Sequence, residues 1–157
     1  MLRDNFVILN KPIPATYKAA AAMKTGMGVV IDDANKQVKF PTGETTENVY
    51  FVNKERIAQT AGTQANLSDY DDLYTKIAAG EFVKIEKYLP GEEFFTDAKG
   101  TTATIGKVLA VGTDGLLSDA TATTVKSAYQ YVADVNDNGH TLMKIRVLDA
   151  PIANTAS

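Results

Sequence analysis

Two alternating stretches separated by Asn138-Gly139 constrain this chain more than any other feature. In "SAYQYVADV", Tyr129, Tyr131, Ala133 and Val135 fall on one face, and in "HTLMKIRVL", Met143, Ile145 and Val147 do the same. Asn and Gly tolerate the positive φ of a type I′ turn, so the spacing predicts a β-hairpin. A competing reading has to be weighed. Asp134, Asn136, Asn138 and Gly139 also occupy positions 1, 3, 5 and 6 of a calcium loop. Such a loop ends at its twelfth position in a bidentate Glu, and here that position is Ile145. Helices should flank it, yet the flanks alternate with period two. The hairpin is therefore expected, and no metal ligand set is assigned.

The same punctuation recurs upstream. "GVVID", "QVKF", "VYFV", "FVKIEKYL", "EFFTD" and "IGKVLAV" read as short strands, separated by "DDANK", "PTGET", "PGEE" and "GTDG", where chain reversal is cheap. This is the rhythm of a mainly β (α+β) protein, a small β-barrel or sandwich-like domain. One short helix is expected in "SDYDDLYTKIAAGE", with Ser68 as cap, Asp69, Asp71 and Asp72 in the first turn, Leu73 and Ile77 one turn apart, and Gly80 at its end. The division expected is an extended N-terminal arm over 1–23, a β-rich domain over 24–150 and a tail over 151–157. Pro12 and Pro14 disfavour regular pairing in the arm. Its apolar residues Phe6, Val7, Ile8, Leu9 and Ile13 have no local core to enter. Within it, "ATYKAAAAMK" admits either a short helix or an extended Ala-rich segment.

Composition narrows the function classes. With 157 residues, 45% apolar and 22% charged, the chain can close a single core and lies outside the disordered range. A net charge of −3 without a Lys/Arg run gives no footprint for nucleic acid or an anionic membrane, so neither is expected as a partner. There is no Cys, hence no disulfide framework, zinc-finger spacing or thiol nucleophile. Apolar runs fall far below the ~18 residues of a membrane span. The start "MLRDNFVILNKPIP" lacks a signal-peptide core, so the mature chain is expected to begin at or beside Met1.

Recognisable catalytic sets are missing too. "GTTATIGK" (100–107) puts five residues rather than four between its glycines, and Val108 stands where a phosphate loop needs Ser or Thr. "GMGVV" has two glycines of a dinucleotide fingerprint, with no third and no helix after it. Any Ser-His-Asp hydrolase would rest on His140, the single histidine, and none of Ser68, Ser118, Ser127 and Ser157 lies in a G-x-S-x-G elbow. His140 reads as an exposed strand start. Glu92 and Glu93 are neighbours at a turn, read as solvated charges rather than a glycosidase pair. Seven tyrosines and six phenylalanines fit core and cross-strand pairs. Tyr50, Tyr70, Tyr74 and Tyr88 could instead form a stacking platform, which is the alternative of a carbohydrate- or peptide-binding module. No enzymatic activity and no cofactor are expected.

"IAAGEFVKIEKYLPGEEFFTDAKG", "TIGKVLAVGTDGLL" and "YQYVADVNDNGHTLMKIRVLDAP" together resemble the body of tailed-bacteriophage capsid decoration, or cement, proteins over about residues 24–150. A glycine turn into a strand, a Gly-Glu turn into an aromatic strand, a "GTDG" segment and a final hairpin carry the resemblance. It implies a virion structural protein on the outer surface of the head, made in the host cytoplasm, that bridges neighbouring major capsid subunits and self-associates, commonly as trimers. It carries no catalytic residue with it. In that setting Phe6, Val7, Ile8, Leu9 and Ile13 would be the arm's capsid contacts, since an arm laid across a neighbour raises effective concentration. Another phage structural module, of the tail or of head completion, is the nearest alternative.

Overall fold

A computed structural model describes residues 1–6, 17–54, 70–121 and 124–154. In chain order the elements are β1 (Leu2–Phe6), β2 (Tyr17–Ala19), β3 (Met23–Lys24), β4 (Gly28–Asp32), β5 (Gln37–Lys39), β6 (Tyr50–Asn53), α1 (Asp72–Thr75), β7 (Lys76–Ile77), β8 (Phe82–Glu86), β9 (Glu93–Thr96), β10 (Leu109–Val111), β11 (Leu117–Asp119), β12 (Lys126–Asp137) and β13 (His140–Ala153). The protein is mainly β, as the turn rhythm predicts.

Five strands close a barrel in the order β2-β5-β4-β6-β8. The β2–β5 pair is parallel and the other neighbours are antiparallel. Alternation fills the interior: Val83 and Ile85 point in from β8 while Phe82 and Lys84 point out. Ala19, Val29, Val38 and Val52 complete that core, with Met23 and Ile77 at its side. Beside the barrel lies a four-stranded sheet, β1-β9-β13-β12, backed by the β10–β11 pair. Its core gathers Leu2, Phe94, Leu109, Leu117, Tyr129, Tyr131, Met143 and Ile145. The two cores share β6 as a wall. Val52 faces the barrel, while Phe51, its neighbour, faces the sheet and meets Phe94 at 4.7 Å and Tyr129 edge-on at 5.5 Å.

The hairpin forms as its turn residues dictate. Asn138 and Gly139 have φ of 52° and 91°, and Asp137 pairs with His140. Two side-chain oxygens at calcium-loop positions have local partners: Asn136 Oδ1 accepts the Gly139 N–H, and Asp134 Oδ1 accepts from Tyr131 and Lys99. Pairing slips between Tyr131 and Ala133, leaving Val132 as a bulge. The expected shared face of β12 is therefore broken: Tyr129 and Tyr131 are buried, whereas Ala133 and Val135 are only half-buried.

Four further differences have local causes. The first residues of the expected arm are a strand, with Leu2, Arg3, Asp4 and Phe6 paired to Thr96, Phe95, Phe94 and Glu93. Met1 and Leu2 are buried there, and the Met1 amine donates to Thr25 O and pairs with Asp97. In "ATYKAAAAMK", Tyr17–Ala19 and Met23–Lys24 are strands rather than helix, and Tyr17–Ala19 closes the barrel with Ala19 buried in its core. The helix shrinks to Asp72–Thr75, and Asp71 rather than Ser68 precedes it, making no side-chain cap bond; Ser68 and Asp69 lie outside the described residues. Lys76–Ile77 leaves the helix because its backbone pairs with β3, so Ile77 is buried through a strand rather than a helix face. Residues 151–153 of the expected tail continue β13, with Ile152 opposite Ser127.

Candidate functional site

At the side of the barrel, the β3–β7 pair, α1 and the turn after β3 enclose an open groove of about 770 Å³. That volume lies in the range of small-molecule and peptide pockets. Met23 opposite Ile77 makes the floor, and both are buried. Met27, Leu73, Ala22 and Ala78 make apolar walls, and Lys24, Lys54, Lys76, Asp72 and Glu81 form the rim. Gly26 sets the bend that brings Met27 around. Its φ is 95°, and a Cβ there would lie 2.5 Å from both Met1 O and Thr96 Oγ1. Backbone bonds fix the turn on both sides, from Gly26 N to Val52 O and from Thr25 N to Thr75 O.

Most rim charges are paired. Lys76 Nζ lies 2.5 Å from Asp72 Oδ2, one turn back, and Lys54 Nζ lies 3.2 Å from Glu81 Oε1 while donating to Lys76 O. Glu81 is held below the usual carboxylate range, first by the Ala78 N–H donated to it and then by Lys54. Among the described residues, the lining contains no His, Ser or Tyr. It offers shape, sulfur-rich apolar surface and a mixed-charge rim, which suits binding an apolar side chain more than moving a proton.

The residues singled out from the sequence sit elsewhere. Phe6 ends β1, the outer strand of its sheet, and is 63% exposed. Val7, Ile8, Leu9 and Ile13 lie outside the described residues. His140 sits at the hairpin mouth, but it is not bare. Its ring stacks on Tyr70 at 3.6 Å and 12°, the Tyr70 hydroxyl donates to Asp137, and Arg3 lies 2.8 Å from the same carboxylate oxygen. Those contacts, Tyr70 first, lower the Asp137 pKa, and burial first raises that of Tyr70. The cluster ties β1, the hairpin tip and the approach to α1 together.

Glu92 corrects an expectation. It is fully buried rather than solvated, and its Oε2 accepts the Leu89 N–H at 2.6 Å, closing the "LPGE" turn from inside. Glu93 points the other way and joins Lys144 and Arg146, each at 2.8 Å, across the strands. Of the four candidate tyrosines, Tyr74 lies half-buried in α1, and the other three are each engaged elsewhere. Tyr88 is 2% exposed, stacked on Phe94 at 3.9 Å, with its hydroxyl donating to Asp4 and burial raising its pKa strongly. Tyr50 packs against the barrel core under Lys87, and Tyr70 is taken up by His140.

Reasoning from sequence missed the groove. Leu73 and Ile77 carried a trace of it as an apolar pair, but Met23 and Met27 stand in a segment whose conformation the residues left open, and pairing across fifty residues joins the two. Among the described residues, no three of His, Asp and Glu converge as metal ligands, and no helix is long and apolar enough to cross a membrane. Compared with protein-family models, curated proteins and solved structures, the chain shows no significant match to any of them.

Proposed function

We propose that the protein is a capsid decoration protein of a tailed phage, bound to the outer face of the head, where it bridges neighbouring major capsid subunits and associates with copies of itself, trimers being the expected form. It has no catalytic task and needs no cofactor in this reading. The observation that supports it is the position of Phe6. This exposed aromatic ends an outer strand, and the apolar stretch Val7–Ile8–Leu9 follows it directly. A segment that continues from the end of an edge strand can in general bind a neighbouring subunit while the strand anchors it. Packing of Tyr88, Tyr50 and Tyr70 into cores and clusters also favours a structural role over a stacking platform.

The test mixes purified protein with phage heads stripped of decoration, sediments them, and counts copies per capsid subunit at two salt concentrations. Saturation at a fixed ratio, with loaded heads surviving heat better than bare ones, supports the proposal. No binding removes it. The arm is tested by replacing Phe6, Val7, Ile8, Leu9 and Ile13 with Ser, since truncation would also delete β1. Unchanged affinity of that variant would remove the arm from the mechanism.

The groove favours a second reading, a peptide-binding module that takes an apolar side chain between Met23, Met27 and Leu73. A peptide array that finds ligands for the wild type and none for Leu73→Glu would support it.

A further inference from the structure

We propose that Asn138 is a site of spontaneous deamidation and that Asn136 sets its rate in the folded protein. This inference does not rest on the capsid reading. Asn-Gly occurs once in the sequence, at the hairpin tip, and both residues are exposed. Every other Asn is followed by a residue with a side chain, which shields the next backbone nitrogen; Gly139 has none. In the reaction, the Gly139 nitrogen loses its proton and attacks Asn138 Cγ. The new C–N bond closes a five-membered imide as the Cγ–Nδ2 bond breaks and Nδ2 leaves as ammonia with a proton. Water then opens the ring at either carbonyl, giving aspartate or isoaspartate. Water enters, ammonia departs, and no oxidant or reductant is involved.

The structure restrains the nucleophile. The Gly139 N–H donates to Asn136 Oδ1 at 3.1 Å, so its proton is held by an acceptor and its nitrogen is turned toward Asn136. The positive φ of Asn138 and Gly139 fixes the turn around that bond. Attack therefore waits on opening of the tip. The two products differ in consequence. Aspartate keeps the backbone and adds a negative charge beside Asp137, whereas isoaspartate inserts an extra methylene into the two-residue turn that pairs Asp137 with His140. The latter loosens the Tyr70–His140 stack and the Arg3–Asp137 ion pair that meet there.

The experiment incubates the full-length protein at mildly alkaline pH and follows Asn138 by peptide mass mapping with isoaspartate quantification. Wild type, Asn136→Ala and Asn136→Asp are compared folded, and wild type also in urea. Asn136→Asp retains the acceptor oxygen. Expected are slow conversion in folded wild type and Asn136→Asp, and conversion several-fold faster in Asn136→Ala and in urea. Amide exchange at Gly139 should be protected in the first two proteins and fast in Asn136→Ala, which separates loss of this one bond from loss of the hairpin. Equal rates for folded wild type and Asn136→Ala would overturn the role of Asn136. An intact Asn138 after incubation in urea would overturn the site itself.

Discussion

The shared wall makes an unusually specific prediction about Phe51. Its side chain is fully buried and touches Phe94, Tyr129 and Tyr88, with ring centroids 4.7, 5.5 and 5.7 Å away. Truncation to Ala removes a ring that the strands around it cannot collapse to replace, at a cost of about 3–5 kcal/mol. Domains of this size have about 5–15 kcal/mol in all, so the variant should remain folded at room temperature with Tm lowered by about 6–20 °C. Val52→Ala acts on the barrel side and should cost about 2 kcal/mol. Urea unfolding of single and double variants measures the coupling. Phe51→Ala with Phe94→Ala should deviate from additivity by about 0.5–1.5 kcal/mol, the worth of an aromatic pair. Val52→Ala with Phe94→Ala should add within about 0.5 kcal/mol, because the side chains face opposite ways and share no partner. The reverse pattern, with Val52 coupled to Phe94 and Phe51 not, would place β6 in the other facing and refute the two-core arrangement.

Other expectations follow from single contacts. Asp32 accepts from Lys39 and Asn35, and these bonds, Lys39 first, lower its pKa to about 2 from an ordinary 3.8. Because the folded value is depressed, its contribution to stability is fully present above about pH 4 and is lost as pH falls through about 2; NMR titration of the carboxyl should show it, and Asp32→Asn should flatten stability across that window. Gly26→Ala combines a positive φ with a Cβ 2.5 Å from Met1 O, so it should cost well over about 1 kcal/mol by urea unfolding and weaken whatever binds the groove. His140→Ala removes the ring stacked on Tyr70 and should cost about 0.5–1.5 kcal/mol without touching either core. A loss indistinguishable from zero would mean that the Tyr70–His140 stack contributes nothing to holding the hairpin tip.

What could be read in the residues followed from how local the cause was. Asn138-Gly139 and the alternation around it are local, and the hairpin formed where they put it. Val83 and Ile85 alternate with charged or exposed neighbours, and β8 formed likewise. Strands of two or three residues, such as Met23–Lys24 and Lys76–Ile77, are too short to show any period. They exist because each supplies the other's hydrogen bonds, and nothing within either segment announces its partner. β1 was hidden for another reason. Two prolines downstream made the whole start look like an arm, yet the buried end of the strand is Met1–Leu2, well before them. Glu92 escaped because a charged residue beside a glycine turn is ordinarily solvated; its burial depends on the Leu89 N–H directed into the same pocket.

The position of β1 changes how an arm should be understood in this protein. A free arm would owe its order entirely to a partner, and its removal would leave the domain intact. Here Leu2 belongs to the core of the sheet, Asp4 accepts the buried Tyr88 hydroxyl, and Arg3 reaches the hairpin tip at Asp137, so three successive residues bind the start of the chain to the sheet core, the β8–β9 connection and the hairpin. Exposure then rises abruptly, from half-buried Arg3 to Asp4, Asn5 and Phe6. Anchoring and exposed surface thus meet on one strand, with Leu2 and Arg3 on the anchored side, Asn5 and Phe6 on the exposed side, and Asp4 belonging to both. If the proposed capsid role holds, a pull on the N-terminal segment is delivered to β9 and β13 through backbone pairs, and to the hairpin through Arg3. Arg3→Ala should therefore weaken attachment under load or heat more than it weakens equilibrium binding, whereas Phe6→Ser should do the opposite. Sedimentation binding and thermal release from loaded heads distinguish the two, and identical effects of both variants in both assays would show that anchor and contact are not separate.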